Sequence, residues 1–241
     1  MFQQIILKIL SLFDYFYQKK IFNFLKKKGF NRFRVFFDVG AHKGETIIKF
    51  LNFFDIDSIY SFEASPINYL KLKKNYEKIL TRFSRTNIVI ENIALGAKEK
   101  FVKIKQLNES SSSTIKEINN ESNYFKKKQN YLNFLNKELF FKEIEVKQIK
   151  LEDYMVKNDV QSIDFLKIDT EGYEFEVLLG LGQNISNVLL ILFEHHYDNM
   201  LIKNYKFSEI NNYLIKNNFK QIYKNKMPFR KTFEYIYLNE K

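Results

Sequence analysis

The chain predicts an α/β fold, a Rossmann-like three-layer sandwich around a mostly parallel sheet that closes with an antiparallel C-terminal hairpin. Three observations carry this. From Phe33 onward, apolar, β-branched and aromatic runs alternate with amphipathic segments. Four of those runs end in an acid, at Asp38, Glu63, Asp169 and Glu194. The last two runs, Phe219–Lys224 and Thr232–Leu238, have no helix between them and so pair as antiparallel neighbours across a turn containing Pro228.

The elements follow in order. Phe33–Asp38 is the first strand and Gly44–Phe54 the first crossover helix. Ser58–Glu63 is the second strand. Ser65 is a good N-cap, and Pro66 sits at the first helical position, where its missing N–H costs nothing, so a helix runs from there to about Leu80. Asn87–Ile93 is a third strand, and Glu99–Gln106 alternates like a strand exposed on one face. Leu107–Phe141 opens with a Ser/Thr run at Ser110–Thr114 and turns Asn- and Lys-rich, with a helix around Phe125–Phe140. It reads as a surface insertion or as a lid over a site. Order resumes with a strand at Glu145–Lys150, a helix at Leu151–Val156, a strand at Ser162–Asp169 and a helix at Gly172–Leu181. Val188–Glu194 is the most apolar strand, and a helix at Ser208–Asn217 precedes the final hairpin.

Composition narrows the function classes. At 241 residues with 45% hydrophobic residues, one sizeable core is expected, in a domain over residues 31–241 with residues 1–30 as a helical extension. Cysteine is absent, which excludes disulfides, thiolate metal sites and thiol catalysis, and fits a reducing, cytoplasmic setting. The net charge of +11 is mostly lysine, since arginine occurs only at Arg32, Arg34, Arg82, Arg85 and Arg230. Lysine spread over solvated faces explains it without a nucleic-acid partner. In the leading segment, Ile5, Ile6, Ile9, Leu10, Phe13 and Phe16 recur at helical spacing but are broken by Lys8 and Asp14, so no run reaches the ~20 residues of a spanning helix. A helix packed across the domain is expected; a weak peripheral contact of residues 1–28 with the inner face of the membrane is the alternative.

The chemistry gathers at the carboxyl ends of the strands, where open α/β sheets place their ligands. The turn Asp38-Val39-Gly40-Ala41-His42-Lys43-Gly44 leads from strand to helix, and Glu63 ends the next strand. Glycines let the backbone approach a ligand, and an acid at the second strand's end accepts hydrogen bonds from ribose hydroxyls. Asp169 either serves the site or caps the following helix, with Glu171 favouring that helix's dipole. His195, close behind Glu194, can remove a hydroxyl proton at neutral pH or be a satisfied core histidine. Spacing among these acids and histidines matches no metal motif, so no metal is expected. The Gly40-to-Gly44 spacing lacks the middle glycine that admits a pyrophosphate, which weighs against a nicotinamide cofactor. Tyr69/Lys73 and Tyr124/Lys128 satisfy Tyr-x-x-x-Lys, as chance allows in so Tyr- and Lys-rich a chain. A P-loop is absent. A non-catalytic binding module on the same fold is the remaining alternative.

In order along the chain, FFDVGAHKGET, FEASP, NIALG, the serine run, FLKIDTEGYEFEVLLG and LFEHH resemble the FkbM family of methyltransferases, over about Val35 to Leu238. His42 stands where such sequences commonly carry Asn. The resemblance implies a class I methyltransferase fold with a seven-stranded sheet. It also implies S-adenosylmethionine as cofactor and methyl transfer to a hydroxyl of a sugar, glycan or secondary metabolite. Carried onto this chain, Asp38, Gly40, His42, Gly44 and Thr46 bind the cofactor, Glu63 and Ala64 its ribose end, and Asn92 and Ala94 its adenine. Asp169 lies near the methyl group, His195 is the candidate base, and Ser112, Glu171, Glu194 and His196 face the acceptor. An Asn/Asp-Pro-Pro-aromatic loop, the usual mark of base-amino methylation in nucleic acids, is replaced by Asp169-Thr170-Glu171-Gly172.

Overall fold

A computed structural model describes residues 18–107, 113–119, 121–122, 125–126, 141–199, 201–227 and 231–241. Strands β1 (Arg32–Val39), β2 (Asp55–Phe62) and β3 (Asn87–Glu91) are joined by helices α2 (Glu45–Phe53) and α3 (Pro66–Arg82), preceded by α1 at residues 18–27. Then come β4 (Ala94–Leu95), β5 (Lys100–Leu107), β6 (Ser113–Thr114), β7 (Glu117–Ile118) and β8 (Phe141–Ile149). Helix α4 (Leu151–Lys157) leads to β9 (Ile163–Ile168), α5 (Glu174–Leu179), a 3-10 turn at Gly182–Asn187 and β10 (Val188–His196). The chain ends with β11 (Leu201–Ile202), α6 (Phe207–Lys216), β12 (Phe219–Lys226) and β13 (Thr232–Asn239).

The main sheet has seven strands in the order β12-β13-β10-β9-β1-β2-β3. From β3 to β10 neighbours run parallel, and β13 is antiparallel to both β10 and β12. This is the expected sheet with its closing hairpin; the turn at Pro228 and the expected helix around Phe125–Phe140 lie largely outside the described residues. Strand order reverses between β1 and β9, and the crevice at that switch point is where the turn after β1 and the turn after β9 face each other.

The sheet is buried on both faces, as parallel strands require. On one face Phe37, Phe62, Leu166, Ile191 and Phe193 pack under α4, α5 and α6. On the other, Phe36, Ile59, Phe165, Leu190 and Leu192 pack under α2 and α3. Ile21, Phe22 and Leu25 of α1 are buried in that second layer, with Phe22 against Phe50, Phe53 and Phe54 at ring-centroid distances of 5.0, 4.7 and 5.7 Å. So residues 18–27 of the leading segment are core, while the helical pattern expected at Ile5–Phe16 lies outside the described residues. Among the described residues no helix is long and apolar enough to cross a membrane.

The strand expected at Glu99–Gln106 belongs to a second, four-stranded sheet, β4-β8-β5-β6. Its alternation buries Val102, Ile104 and Gln106 and leaves Phe101 exposed. This small sheet carries β6 and the start of the insertion back over the rim of the main sheet.

Candidate active site

A cleft of about 820 Å³, its open mouth included, lies at the carboxyl rim over β1, β2 and β9. Its walls grade from apolar to polar. Ile93, Ala94, Leu95 and Ile104 form one end; Glu63, Asn68 and Ala64 the middle; Gly40, Asp169, Thr170 and Glu171 the other. Ser113, Thr114 and Ile115 roof it.

Glu63 is the best-defined group. Its Oε2 accepts the His42 N–H and its Oε1 the Ser65 N–H, both at 2.8 Å. His42 presents its N–H from a left-handed conformation (φ 51°), which asparagine adopts more readily than histidine. His42 lines the cleft, and its ring lies 3.3 Å from Glu45; burial would raise that carboxyl, but the His42 contact and backbone N–H groups hold it down at about 2. Burial raises the Glu63 carboxyl to about 7 in spite of its two N–H donors. Asn92 donates from its side-chain amide to the carbonyls of Glu63 and Ala64 (2.8 and 3.2 Å). It therefore shapes the Glu63–Ala64 turn and does not line the cleft, unlike Ala94.

Of the two glycines of the first turn, Gly40 lines the cleft as expected and Gly44 does not. Gly40 (φ 86°) comes so close to β9's end that a Cβ would lie 1.9 Å from the Asp169 carbonyl oxygen. Its freedom serves the seam between two turns, as well as the ligand space above. Gly44 (φ 89°) caps α2 and packs on α3: a Cβ would meet Leu72 at 2.9 Å and Ile79 at 3.1 Å. Gly44 does not line the cleft.

Asp38 is fully buried behind the cleft, and its carboxylate faces Lys167 Nζ at 3.3 Å. The same ammonium lies 3.3 Å from Asp169 Oδ2 and donates to the Gly40 carbonyl at 3.4 Å. Burial opposes the charge on Lys167, but Asp169 and Asp38 outweigh it and raise its pKa above the usual lysine range. Asp38 thus acts on the site through Lys167. Lys167 itself was not anticipated. Its signal is a lone cation inside the apolar strand IDFLKI, paired in register with Asp38 on β1.

The residues expected around the acceptor divide. Glu171 lines the cleft and faces His196 Nε2 at 3.4 Å. His196 also takes a 3.0 Å contact from Thr232 Oγ1 and an ion pair to Asp198 at 3.8 Å. Burial disfavours its charge, yet Asp198, Glu171 and Glu174 raise the ring to about 9. Alternation along β10 sends His195 to the opposite face of the sheet from Glu194. There it packs against Tyr197, Tyr205 and Phe207, with burial, Lys203 and His196 lowering it to about 3. It does not line the cleft, and the expectation of His195 as base gives way to a core histidine. Thr46 and Glu194 line a second, smaller cavity that also contains Asp169. Ser112 lies outside the described residues; its neighbours Ser113 and Thr114 are on the roof. Asn68, outside the quoted motifs, and Tyr173, inside FLKIDTEGYEFEVLLG but with no expected role, also line the cleft.

A sheet of this order, with a glycine turn and a strand-end acid at its switch point, defines the class I fold of S-adenosylmethionine-dependent methyltransferases. The chain belongs to the FkbM methyltransferase family: the methyltransferase FkbM domain matches residues 38–221. The solved structure of methyltransferase FkbM from Methylobacillus flagellatus KT is similar at a TM-score of 0.58 and 13% identity, over 85% of this chain and 43% of that one. This chain therefore spans less than half the length of that relative. Magnesium protoporphyrin IX methyltransferase from Synechocystis PCC 6803, solved with bound SAM, is similar at a TM-score of 0.52 and 8% identity, over 97% and 81% of the two chains. No curated protein matches the sequence.

The cleft fits the family's cofactor. The Asn68 side chain, 2% exposed, has its Oδ1 without a hydrogen-bond partner among the described residues, on the cleft wall beside the Glu63 turn. A buried acceptor left in this way is costly until a donor arrives. The apolar end suits a purine, and the Glu63 carboxylate keeps free lone pairs for a diol.

Proposed function

We propose that the protein transfers a methyl group from S-adenosylmethionine to a hydroxyl oxygen of a sugar, a glycan or a secondary metabolite, within polysaccharide or related biosynthesis in the cytoplasm. The observation that carries this reading is Glu63, held by two backbone N–H groups at the middle of a cleft that is apolar on one side and acidic on the other. That gradient matches a molecule with a purine, a ribose diol and a charged amino-acid tail. Bound cofactor supplies a methyl activated by sulfonium. Ile93, Ala94, Leu95 and Ile104 would hold the purine, Glu63 and Asn68 the ribose, and Gly40, Asp169 and Thr170 the amino-acid end. The chain's own contribution is alignment and proton removal: a held geometry can supply several kcal/mol, and a positioned base about 10²–10⁴-fold in rate.

Calorimetric titration separates this from the nicotinamide reading. S-adenosylhomocysteine is expected to bind and NADH to give no heat, with Glu63→Ala weakening the former at least tenfold. NADH binding in preference to S-adenosylhomocysteine would refute the proposal.

A further inference from the structure

Glu171, in the turn after β9, has φ 50°, a left-handed backbone that a residue with a Cβ rarely adopts. Its neighbours fix it there. From the roof, Thr114 Oγ1 donates to the Glu171 carbonyl at 2.8 Å. From α5, the buried Glu174 carboxylate accepts the Gly172 N–H at 2.8 Å, the Tyr205 hydroxyl at 2.6 Å and the Thr170 hydroxyl at 3.4 Å. The Glu171 side chain so placed lines the cleft and is 25% exposed. Behind it, His196 Nε2 lies 3.4 Å from Glu171 Oε2. His196 Nδ1 in turn contacts Thr232 Oγ1 at 3.0 Å and Asp198 Oδ2 at 3.8 Å. A carboxylate at the cleft is thus backed by an imidazole, and the imidazole by a second, buried carboxylate.

Among the described residues the cleft wall carries three acids, Glu63, Asp169 and Glu171. Glu63 is committed to two backbone N–H groups at the ribose end, and Asp169 pairs with Lys167 at the amino-acid end. Glu171 remains for the acceptor side.

We propose that Glu171 accepts the proton of the acceptor's reacting hydroxyl, and that His196, anchored by Asp198 and Thr232, is the positioning residue that keeps this carboxylate ionised and at the cleft. The inference rests on the methyl-transfer reading above and adds to it a base and the chain of groups behind it. In the step itself the acceptor oxygen bonds to the methyl carbon, and the carbon–sulfur bond breaks with its electron pair going to sulfur. The hydroxyl proton moves to the Glu171 carboxylate, leaving a methyl ether, a neutral thioether and a carboxylic acid. One positive charge on sulfur and one negative charge on Glu171 disappear together, so the net charge of the cleft does not change.

The charges around the pair support this. Glu174 and Asp198 face His196 together with Glu171, Lys203 donates to the His196 carbonyl, and Glu194 lies within electrostatic reach of Glu171. His195 stands on the opposite face of β10 and is held neutral. The acids prevail over burial, so His196 titrates at about 9 and faces Glu171 as a cation at neutral pH. A neighbouring cation weakens a carboxylate as a base, but it also ensures that the group is deprotonated before the acceptor arrives.

The test compares wild type with Glu171→Gln, His196→Gln and Asp198→Asn. All four are expected to bind S-adenosylhomocysteine within about threefold of one another by calorimetry, since none of these side chains is assigned to the cofactor. NMR of the unloaded protein with labelled histidine reads the His196 midpoint, about 9 in wild type. It is expected to fall by about one unit in both Glu171→Gln and Asp198→Asn. Transfer of labelled methyl to methyl hexosides and small secondary alcohols should fall about 100-fold in Glu171→Gln. In wild type the rate drops as pH falls through the titration of Glu171. His196→Gln is expected to move that limb up by about one unit, and Glu171→Gln to flatten it. A merely structural pairing would lower the thermal midpoint and leave the limb in place. Should His196→Gln fail to fold, the other two variants decide through transfer and the His196 midpoint. Failure of wild type to bind S-adenosylhomocysteine, or to methylate any probe, would remove the methyl-transfer reading and this inference with it. With both intact, the inference alone is overturned if Glu171→Gln transfers within about tenfold of wild type. A limb that ignores His196→Gln, or a His196 midpoint that ignores Glu171→Gln, would overturn it equally.

Discussion

At the scale of single residues, the rim of the sheet is governed by where buried charge finds a partner. Asp38 and Lys167 sit opposite each other in the β1–β9 register; without Lys167 the buried Asp38 would be an uncompensated ion, whereas Lys167 also pairs with Asp169. Glu63 instead receives two backbone donors and keeps a carboxyl poised at about 7. Ribose hydroxyls hydrogen-bond more strongly to its ionised form. Cofactor affinity is therefore expected to rise with pH between 6 and 8, by up to about tenfold if only Glu63 titrates. Calorimetry with S-adenosylhomocysteine at the two pH values checks this, and Glu63→Gln should abolish the slope while weakening binding.

At the scale of elements, the informative piece is the strap formed by β6 and β7. Composition describes residues 107–141 only as Ser-, Asn- and Lys-rich, which leaves an insertion and a lid equally plausible. The described part is tied to the site. Thr114 Oγ1 donates to the Glu171 carbonyl at 2.8 Å, Lys116 pairs with Glu176 beneath the Tyr173 and Tyr205 rings, and β7 pairs with β11. These contacts hold the described part of the strap over the cleft. Thr114→Val keeps the shape and removes one hydrogen bond, a net loss of about 1 kcal/mol or roughly fivefold. The expected result is faster dissociation of S-adenosylhomocysteine by about that factor, read by stopped-flow, with the thermal midpoint nearly unchanged.

At the scale of the whole molecule, two adjacent histidines make stability depend on pH in opposite senses. His195 is held neutral in the fold, at about 3, whereas the unfolded chain protonates it near 6.5. Between those values the unfolded state binds more protons, so stability falls as pH drops below about 6.5. His196, at about 9, contributes stability that is complete below about 6.5 and fades as pH rises through 9. Glu63, raised to about 7, favours the fold on the acid side and so partly masks His195. His195→Phe keeps an aromatic ring among Tyr197, Tyr205 and Phe207 and removes the titration. Between pH 7 and pH 5, urea unfolding is expected to show a larger loss of stability in wild type than in this variant.

The order of strands and helices was legible because each run carries its period: alternation or continuous apolarity for strands, 3.6-residue spacing for helices, and glycine or Ser-Pro at the joints. Asp38, Glu63, Asp169 and Glu194 were legible as strand-end acids, and the sheet does bring all four to one rim. What each acid faces was not, because that depends on neighbours far away in sequence. Lys167 claims Asp38 from the adjacent strand, Asn92 buttresses the Glu63–Ala64 turn where it was expected to line the adenine side, and alternation on β10 turns His195 away from the residues on either side of it. Local patterning thus determined the fold and the place of the site. The division into two cavities joined at Asp169 was decided by tertiary packing alone, since it arises where α1, α2 and the strap close over opposite faces of one sheet.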